Sequence, residues 1–382
     1  MALRVAVAGG LARSPISAGG CTWAFLHYAL GFHSLGAEVL YVEHLEPGDC
    51  IDAAWQPAPF AASANVSVFR ATLARHALNG SLALRDGSEW VGLSPTEVRD
   101  WVAAADLFVN LSGRWHQHDV MAGARRRVYV DLDPGFAQIW QAGYGADMNL
   151  AGHDAHVTVG LNLGRSDCPV PTLGLTWHPL PPPVVLDEWT PLADRRACYT
   201  TVADWRGYAP IEWQGVWYKQ KADEFLRVVD LPRRVAVPLE ICLAIHPDEP
   251  ALPLLQAGGW QLSDPRVEAA DDRAYRDYVR HSRGELSVAK HGYVVGNTGW
   301  VSDRTACYLA AGCPAVVQDT GIGRDLPVGE GLLTFADADG AIAALDAVER
   351  DYPRHAAAAR ALAADHFAAD RVLSRMLEVA GV

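Results

Sequence analysis

Apolar residues fall into short runs that end in polar, glycine-containing loops, with amphipathic stretches between them. Leu3 to Ala8 is one such run, closed by Gly9-Gly10. After it come a polar loop through Arg13-Ser14-Pro15 and Gly19-Gly20, apolar residues at helical spacing from about Thr22 to Leu35, a stop at Gly36, and a second run from Glu38 to Glu43. Strand, glycine loop, helix and strand in this order open a doubly wound α/β layer, whose first loop faces the ligand crevice. Further strands are expected at Leu107 to Asn110 and Val128 to Leu132, with a helix from Pro95 to Ala105 capped by Ser94.

Prolines at 169, 171, 179 and 181 to 183 then make a stiff, extended connector. Beyond it the series restarts. Cys198 to Val202 reads as a strand running into Ala203-Asp204-Trp205-Arg206-Gly207, followed by a helix near Lys219 to Val229 and a strand within Arg234 to Ile245. A helix ends at Ser282-Arg283, Ser302 opens another that Gly312 and Pro314 stop, and Ala315 to Gln318 is a buried strand. Helical periodicity returns over 340–348, 355–363 and 368–379. The expected fold is α/β, with two Rossmann-like domains facing across a cleft at residues 1–180 and 181–365. Residues 366–382 form a terminal helix returning to the first domain.

The densest chemistry lies between Tyr275 and Gly321. A helix start at Ser302 beside the Asn297-Thr298-Gly299 turn offers free N–H groups and a positive dipole end, which suits phosphate. Arg283, Lys290 and Arg304 supply fixed positive charge nearby, and Asp303 sits at the helix start. Asp319-Thr320-Gly321 follow a strand at its carboxyl end, where open sheets bind ligands. In the amino-terminal half, Asp131, Asp133 and His116 end up in loops after predicted strands and are the candidate general bases, Asp131 ahead of the other two. Asp-x-Asp-Pro-Gly is also a good turn, with Asp133 bonding backbone N–H groups.

Composition narrows the partners. The 382 residues exceed one typical core, and 45 acidic against 32 basic residues give a net charge of −13, which argues against nucleic acid or an anionic membrane. No apolar run approaches the length of a membrane span. Seven scattered cysteines without C-x-x-C fit a reducing compartment, and the broken apolar start reads as a first strand, so a cytoplasmic location is expected. His153, Asp154 and His156 lack a partnering cluster, and no metal is expected. G-x-G-x-x-G and the P-loop pattern are both absent. Thirteen tryptophans exceed what packing asks for and could furnish a sugar platform.

Ala311-Gly312-Cys313-Pro314-Ala315-Val316-Val317 resembles the helix end and strand of the donor-binding half of GT-B glycosyltransferases. Ser282-Arg283-Gly284-Glu285, Ala289-Lys290, Gly299 to Arg304 and Gln318 to Gly321 are similar to a group of bacterial proteins assigned as glycosyltransferases. Gly19-Gly20, Trp23 and Leu26 to Gly31 extend the likeness into the first loop and helix. The resemblance implies transfer of a hexosyl or deoxysugar group from a nucleotide-diphosphate sugar to a small-molecule acceptor, of the kind met in specialised metabolism. The nucleotide sugar is a co-substrate, with no separate cofactor, and a homodimer is left open. It places Thr200, Thr201 and Trp205 under the donor diphosphate. Two departures stand out. Cys307 occupies the position five before Gly312 where many of these enzymes carry a glutamate, a place Asp303 or Glu285 could fill. Arg13 to Gly20 contains no histidine, which many inverting members use as base. A non-catalytic nucleotide-sugar or metabolite binder is the alternative, and an NAD-dependent oxidoreductase ranks third.

Overall fold

The computed structural model describes residues 2–17 and 19–382. The first sheet is built from β1 (Arg4–Ala8), β2 (Glu38–Leu45), β3 (Asn79–Leu84), β4 (Trp90–Gly92), β5 (Leu107–Leu111), β6 (Arg126–Asp131), β7 (Ala155–Thr158) and β8 (Trp177–Pro179). Its order is β4-β3-β2-β1-β5-β6-β7-β8, parallel except for β4 on the edge. The second sheet contains β9 (Tyr199–Asp204) and, after a hairpin of β10 (Ile211–Trp213) and β11 (Val216–Tyr218), β12 (Leu239–Ala244), β13 (Gln261–Ser263), β14 (Gly284–Ser287), β15 (Ala315–Gln318) and β16 (Leu332–Phe335). It is parallel throughout, in the order β13-β12-β9-β14-β15-β16. In each sheet the order reverses beside the first strand, between β1 and β5 and between β9 and β14, which opens a crevice at the carboxyl ends.

Six of the helices either tie the two halves together or carry residues of the crevice: α1 (Gly19–Ser34), α2 (Ala64–Arg75), α3 (Lys221–Arg227), α4 (Asp272–His281), α5 (Asp303–Ala310) and α6 (Ala369–Ala380). The core of α1 is apolar nearly all round, because it is covered on several sides. One side meets α6, where a Cβ on Gly31 would come within 2.5 Å of Leu373 and 2.9 Å of Ala369. Its start meets α4: Gly19 N–H donates to Ala269 O at 3.0 Å, and Trp23 Nε1 donates to Asp272 O at 2.7 Å. Asp272 in turn takes Arg75 at the end of α2 and His76 Nε2 at 2.9 Å.

A second seam joins the halves further along the crevice. The segment after β7 runs antiparallel to the 298–300 turn, with Asn162 N–H donating to Thr298 O at 3.0 Å and Leu161 N–H to Gly299 O at 3.3 Å. Asn162 Nδ2 reaches Asn297 O at 3.0 Å and Gly321 O at 3.1 Å. Strands β3, β4, β7, β8, β10, β11, β13, β14 and β16 have no counterpart among the sequence-based expectations. β14 is Gly-Glu-Leu-Ser with Glu285 fully buried at its centre, so a charged residue interrupts the apolar run that marks a parallel strand.

Candidate functional site

The crevice collects the ends of β1, β5, β6 and β7 on one wall and of β9, β14 and β15 on the other. On the amino-terminal wall it widens into a cavity of about 810 Å3 lined by Arg13, His44, Arg114, His116, Asp131 and Trp140, among others, with Gly207 and Tyr208 reaching over from the second half.

Several side chains expected to bind the donor are occupied within the fold. Arg283 precedes β14 at its amino end, away from the crevice, where it pairs with Glu349 at 2.6 Å and stacks over Tyr352 at 4.0 Å. The expectation that it neutralises a diphosphate thus falls on a side chain already paired within the fold. Arg304, buried on α5, donates to Glu285 at 2.6 Å, to Val202 O at 2.8 Å and to Ser287 Oγ, so both members of the pair are internal struts. Asn297, Thr298 and Gly299 belong to the seam between the halves. There Gly299 N–H donates to Thr320 O at 2.7 Å, Thr320 Oγ1 donates to Trp300 O at 2.7 Å, and Gly321 is filled against Asn297 and Asn162. Asp319 closes its own turn onto Gly321 N–H at 2.8 Å.

Trp205 is buried against Phe225, and Thr200 bonds Ser282 and Tyr308 at 2.6 and 2.5 Å. Thr201 is buried in mid-strand. Gly19 and Gly20 pack on Asp271 and Tyr275 rather than lining the crevice, and a Cβ on Gly19 would lie 2.2 Å from Asp271 O. Cys307, at the position of the expected glutamate, is buried with its Sγ 3.5 Å from His27 Nε2, so α1 covers it.

Lys290 and Asp133, expected as donor and acid–base groups respectively, meet each other. Lys290 Nζ lies 3.0 Å from both Asp133 oxygens and donates to Tyr208, while Tyr208 donates to Asp133 Oδ2 at 2.6 Å and Tyr293 donates to Oδ1. Asp131 is buried at the end of β6. Its Oδ2 accepts from Gln138 Nε2 and Thr158 Oγ1, both at 2.8 Å, and its Oδ1 from Asp133 N–H at 3.0 Å, leaving one lone pair of Oδ1 unused. Burial pushes its carboxyl up to about 6 despite those bonds. His116 is half-buried on the same wall, its imidazole held below the usual range by desolvation and then by Arg85.

Ser302 does cap α5, accepting from Arg304 N–H at 3.2 Å, and Asp303 begins that helix with its pKa raised by burial. Beside Asp303 lies a group that sequence reading passed over. Lys221, at the start of α3, bonds to no side chain among the described residues, and desolvation, then Arg304 and Lys290, lower its pKa to about 7. The Cys21 thiol faces the same space, pushed up to about 11 by desolvation, then by Asp204 and Asp303, with Arg114 and Lys221 acting the other way. The signal for Lys221 was a lysine opening a helix soon after the first strand of the second half.

Two more unforeseen groups sit on the opposite wall. Arg114, after β5, has a buried Nε without a partner among the described residues, and Gly10 leaves room for it, since a Cβ there would lie 2.7 Å from that nitrogen. His44, stacked on Trp115 at 3.8 Å, has neither ring nitrogen bonded among the described residues, and burial lowers its pKa to about 4. No group of three or more His, Cys, Asp or Glu among the described residues could hold a metal. Nor is any helix of these residues long and apolar enough to cross a membrane.

Two open parallel sheets with crevices facing each other define the GT-B fold of glycosyltransferases. Solved structures with this fold align over the whole chain. An alpha-glucosyltransferase in complex with UDP superposes with a TM-score of 0.60 at 10% identity, covering 100% of both chains. AviGT4, a glycosyltransferase involved in avilamycin A biosynthesis, gives 0.54 at 14% identity over 99% of this chain and 97% of its own. HepE of Anabaena, in complex with UDP and glucose, gives 0.51 at 12% identity over 98% of each. The sequence matches no family model and no curated protein.

Proposed function

We propose that the protein transfers a glycosyl group from a nucleoside-diphosphate sugar to a small-molecule acceptor. The observation that carries this reading is Lys221, an unpaired cation at the carboxyl end of the second sheet in a GT-B fold. A diphosphate there would gain a charge-assisted partner that is bonded to no described side chain, with Asp204 and Asp303 acting on it only at a distance. The acceptor occupies the 810 Å3 cavity on the other wall, and Asp131 takes its proton through the unused lone pair. The reaction runs without a separate cofactor, in the cytoplasm. The likeness to AviGT4 supports a natural-product acceptor and a place in specialised metabolism.

A thermal-shift panel with UDP, dTDP, GDP, ADP and NAD(P), followed by turnover of the matching sugar nucleotide, tests the reading. Stabilisation by one diphosphate and release of that diphosphate during turnover are expected. A response to NAD(P) alone would overturn it, whereas a diphosphate shift without turnover of any sugar nucleotide would favour a non-catalytic binder.

A further inference from the structure

Burying a guanidinium without a partner is costly, and a fold that keeps one on a cavity wall leaves a place for an anion. Arg114 lines the cavity half-buried, with its Nε buried and its guanidinium without a hydrogen-bond or ion-pair partner among the described residues. Each acid around the cavity already serves something else. Asp133 holds Lys290, Glu46 accepts from Arg85 at 2.7 Å, Asp49 lies 3.8 Å from Arg13, Asp131 is bonded by Gln138 and Thr158, and Asp147, exposed at the rim, accepts from Asn149 N–H at 2.8 Å. Glu43, the carboxyl that acts most on Arg114, turns both oxygens to Ala12 N–H at 3.0 and 2.9 Å. Burial lifts its pKa to about 8 against the opposing pull of Ala12 N–H and Arg114, which weakens the compensation it gives the guanidinium.

The surroundings of Arg114 add charge of the same sign. Arg13 is close enough to depress its pKa, second only to desolvation. His44 lines the same cavity, with both ring nitrogens buried and unbonded among the described residues. Arg13 and Arg114 thus stand side by side on one part of a wall that elsewhere carries carboxylates. The Arg114 Cζ also lies 5.6 Å from the Phe25 ring centroid, which holds the fork beside α1 and preorganises it.

We propose that the acceptor carries an anionic group, a carboxylate or a phosphate, and that Arg114 receives it, with Arg13 and His44 beside it. This rests on the glycosyl-transfer reading only in calling the ligand an acceptor. The anion site itself stands on the unpaired guanidinium, and Lys221 on the opposite wall remains for the donor.

Calorimetric titration with glucose 6-phosphate, glucuronate and glucose, in the presence and absence of UDP, tests it. The wild type should bind at least one of the anionic sugars about tenfold or more tightly than glucose. Arg114→Gln should abolish that preference and leave UDP affinity within about twofold, since the diphosphate is assigned to Lys221. Arg114→Lys keeps the charge but not the fork, so it should retain part of the preference and provides the comparison if the glutamine variant does not fold. Equal binding of anionic and neutral sugars, or a preference that survives both substitutions, would overturn the proposal. So would a loss of UDP affinity in Arg114→Gln as large as the loss for the anionic sugar, which would assign the arginine to the nucleotide. Absence of binding by UDP, dTDP, GDP and ADP alike in the wild type would instead count against the donor reading, and the anion preference is then read from the nucleotide-free titrations.

Discussion

The two walls of the crevice treat charge in opposite ways. On the carboxyl-terminal wall the cations are mostly spent: Arg304 on Glu285, and Lys290 on Asp133 from across the gap. Lys221 is the exception. On the amino-terminal wall, Arg114 and His44 have unpartnered nitrogens, and Asp131 keeps a lone pair. Residue type and nearness to a crevice therefore do not establish availability. A buried pair fixes the shape of one wall, while groups left unpaired on the other are where a ligand can form bonds the protein has not already made.

The sharpest way to break this contrast is at Asp131. Asp131→Asn should lower kcat by ~10²- to 10⁴-fold while UDP affinity stays near that of the wild type. In the wild type, kcat should rise with pH through about 6 as the carboxyl ionises, and the variant should lose that rise. Near-normal turnover in the variant would leave the amino-terminal wall without a base at this position and would move attention to His44 and His116.

Next in size is the buried pair on the other wall. Arg304→Gln leaves Glu285 buried without its partner and should cost about 3 to 5 kcal/mol in urea unfolding. If stability is unchanged and nucleotide affinity collapses instead, Arg304 is a ligand group and the contrast fails. Lys221 should behave in the reverse manner. Lys221→Ala should weaken UDP by ~1.5 to 3 kcal/mol, about ten- to hundredfold, with no loss of folding stability. Because its pKa is depressed to about 7, the wild-type affinity should decline as pH rises through 7, and Lys221→Ala should be flat over that range.

The smallest effect concerns the cover over Cys307. His27 is buried, its Nδ1 accepts from Val185 N–H at 3.1 Å, and burial lowers its pKa to about 3. A depressed folded-state pKa contributes stability that is complete above about 6.5 and is lost as pH falls towards 3. The slope approaches ~1.4 kcal/mol per pH unit within that window. Urea unfolding of the wild type and His27→Asn at pH 7, 6 and 5 measures it, and identical pH slopes in the two proteins would assign the acid sensitivity elsewhere.

Much of the fold was legible in the sequence because a parallel strand ending in a glycine loop leaves a local mark, and β1, β2, β5, β6, β9 and β15 all carry it. The strand β14 was not legible, since its buried Glu285 needs Arg304 to neutralise it, and pairing at a distance leaves no periodic trace. The site was legible as a place more than as a set of residues. The helix start at Ser302, the loops holding Asp131 and His116, and the strand end at Gln318 were found. Which charges remain free depended on contacts such as Lys290 with Asp133, between residues 157 positions apart. Lys221 and Arg114 look like ordinary surface cations in the sequence and differ only in what fails to reach them.

The packing of α6 on α1 bears on how the chain is made. Gly31 of α1 is shaped to Leu373 and Ala369, and Val184 is tied to Phe367 and Ala369 by backbone hydrogen bonds of 2.7 and 2.9 Å. During synthesis from the amino terminus, the first sheet can assemble long before residues 369–380 exist. Until they arrive, one apolar flank of α1 has no cover, and the nascent half presents a sticky surface for the time taken to translate the remainder. Residues 369–380 thus complete the first layer to form, and a ribosome stalled in the second half would hold out an unfinished core to chaperones.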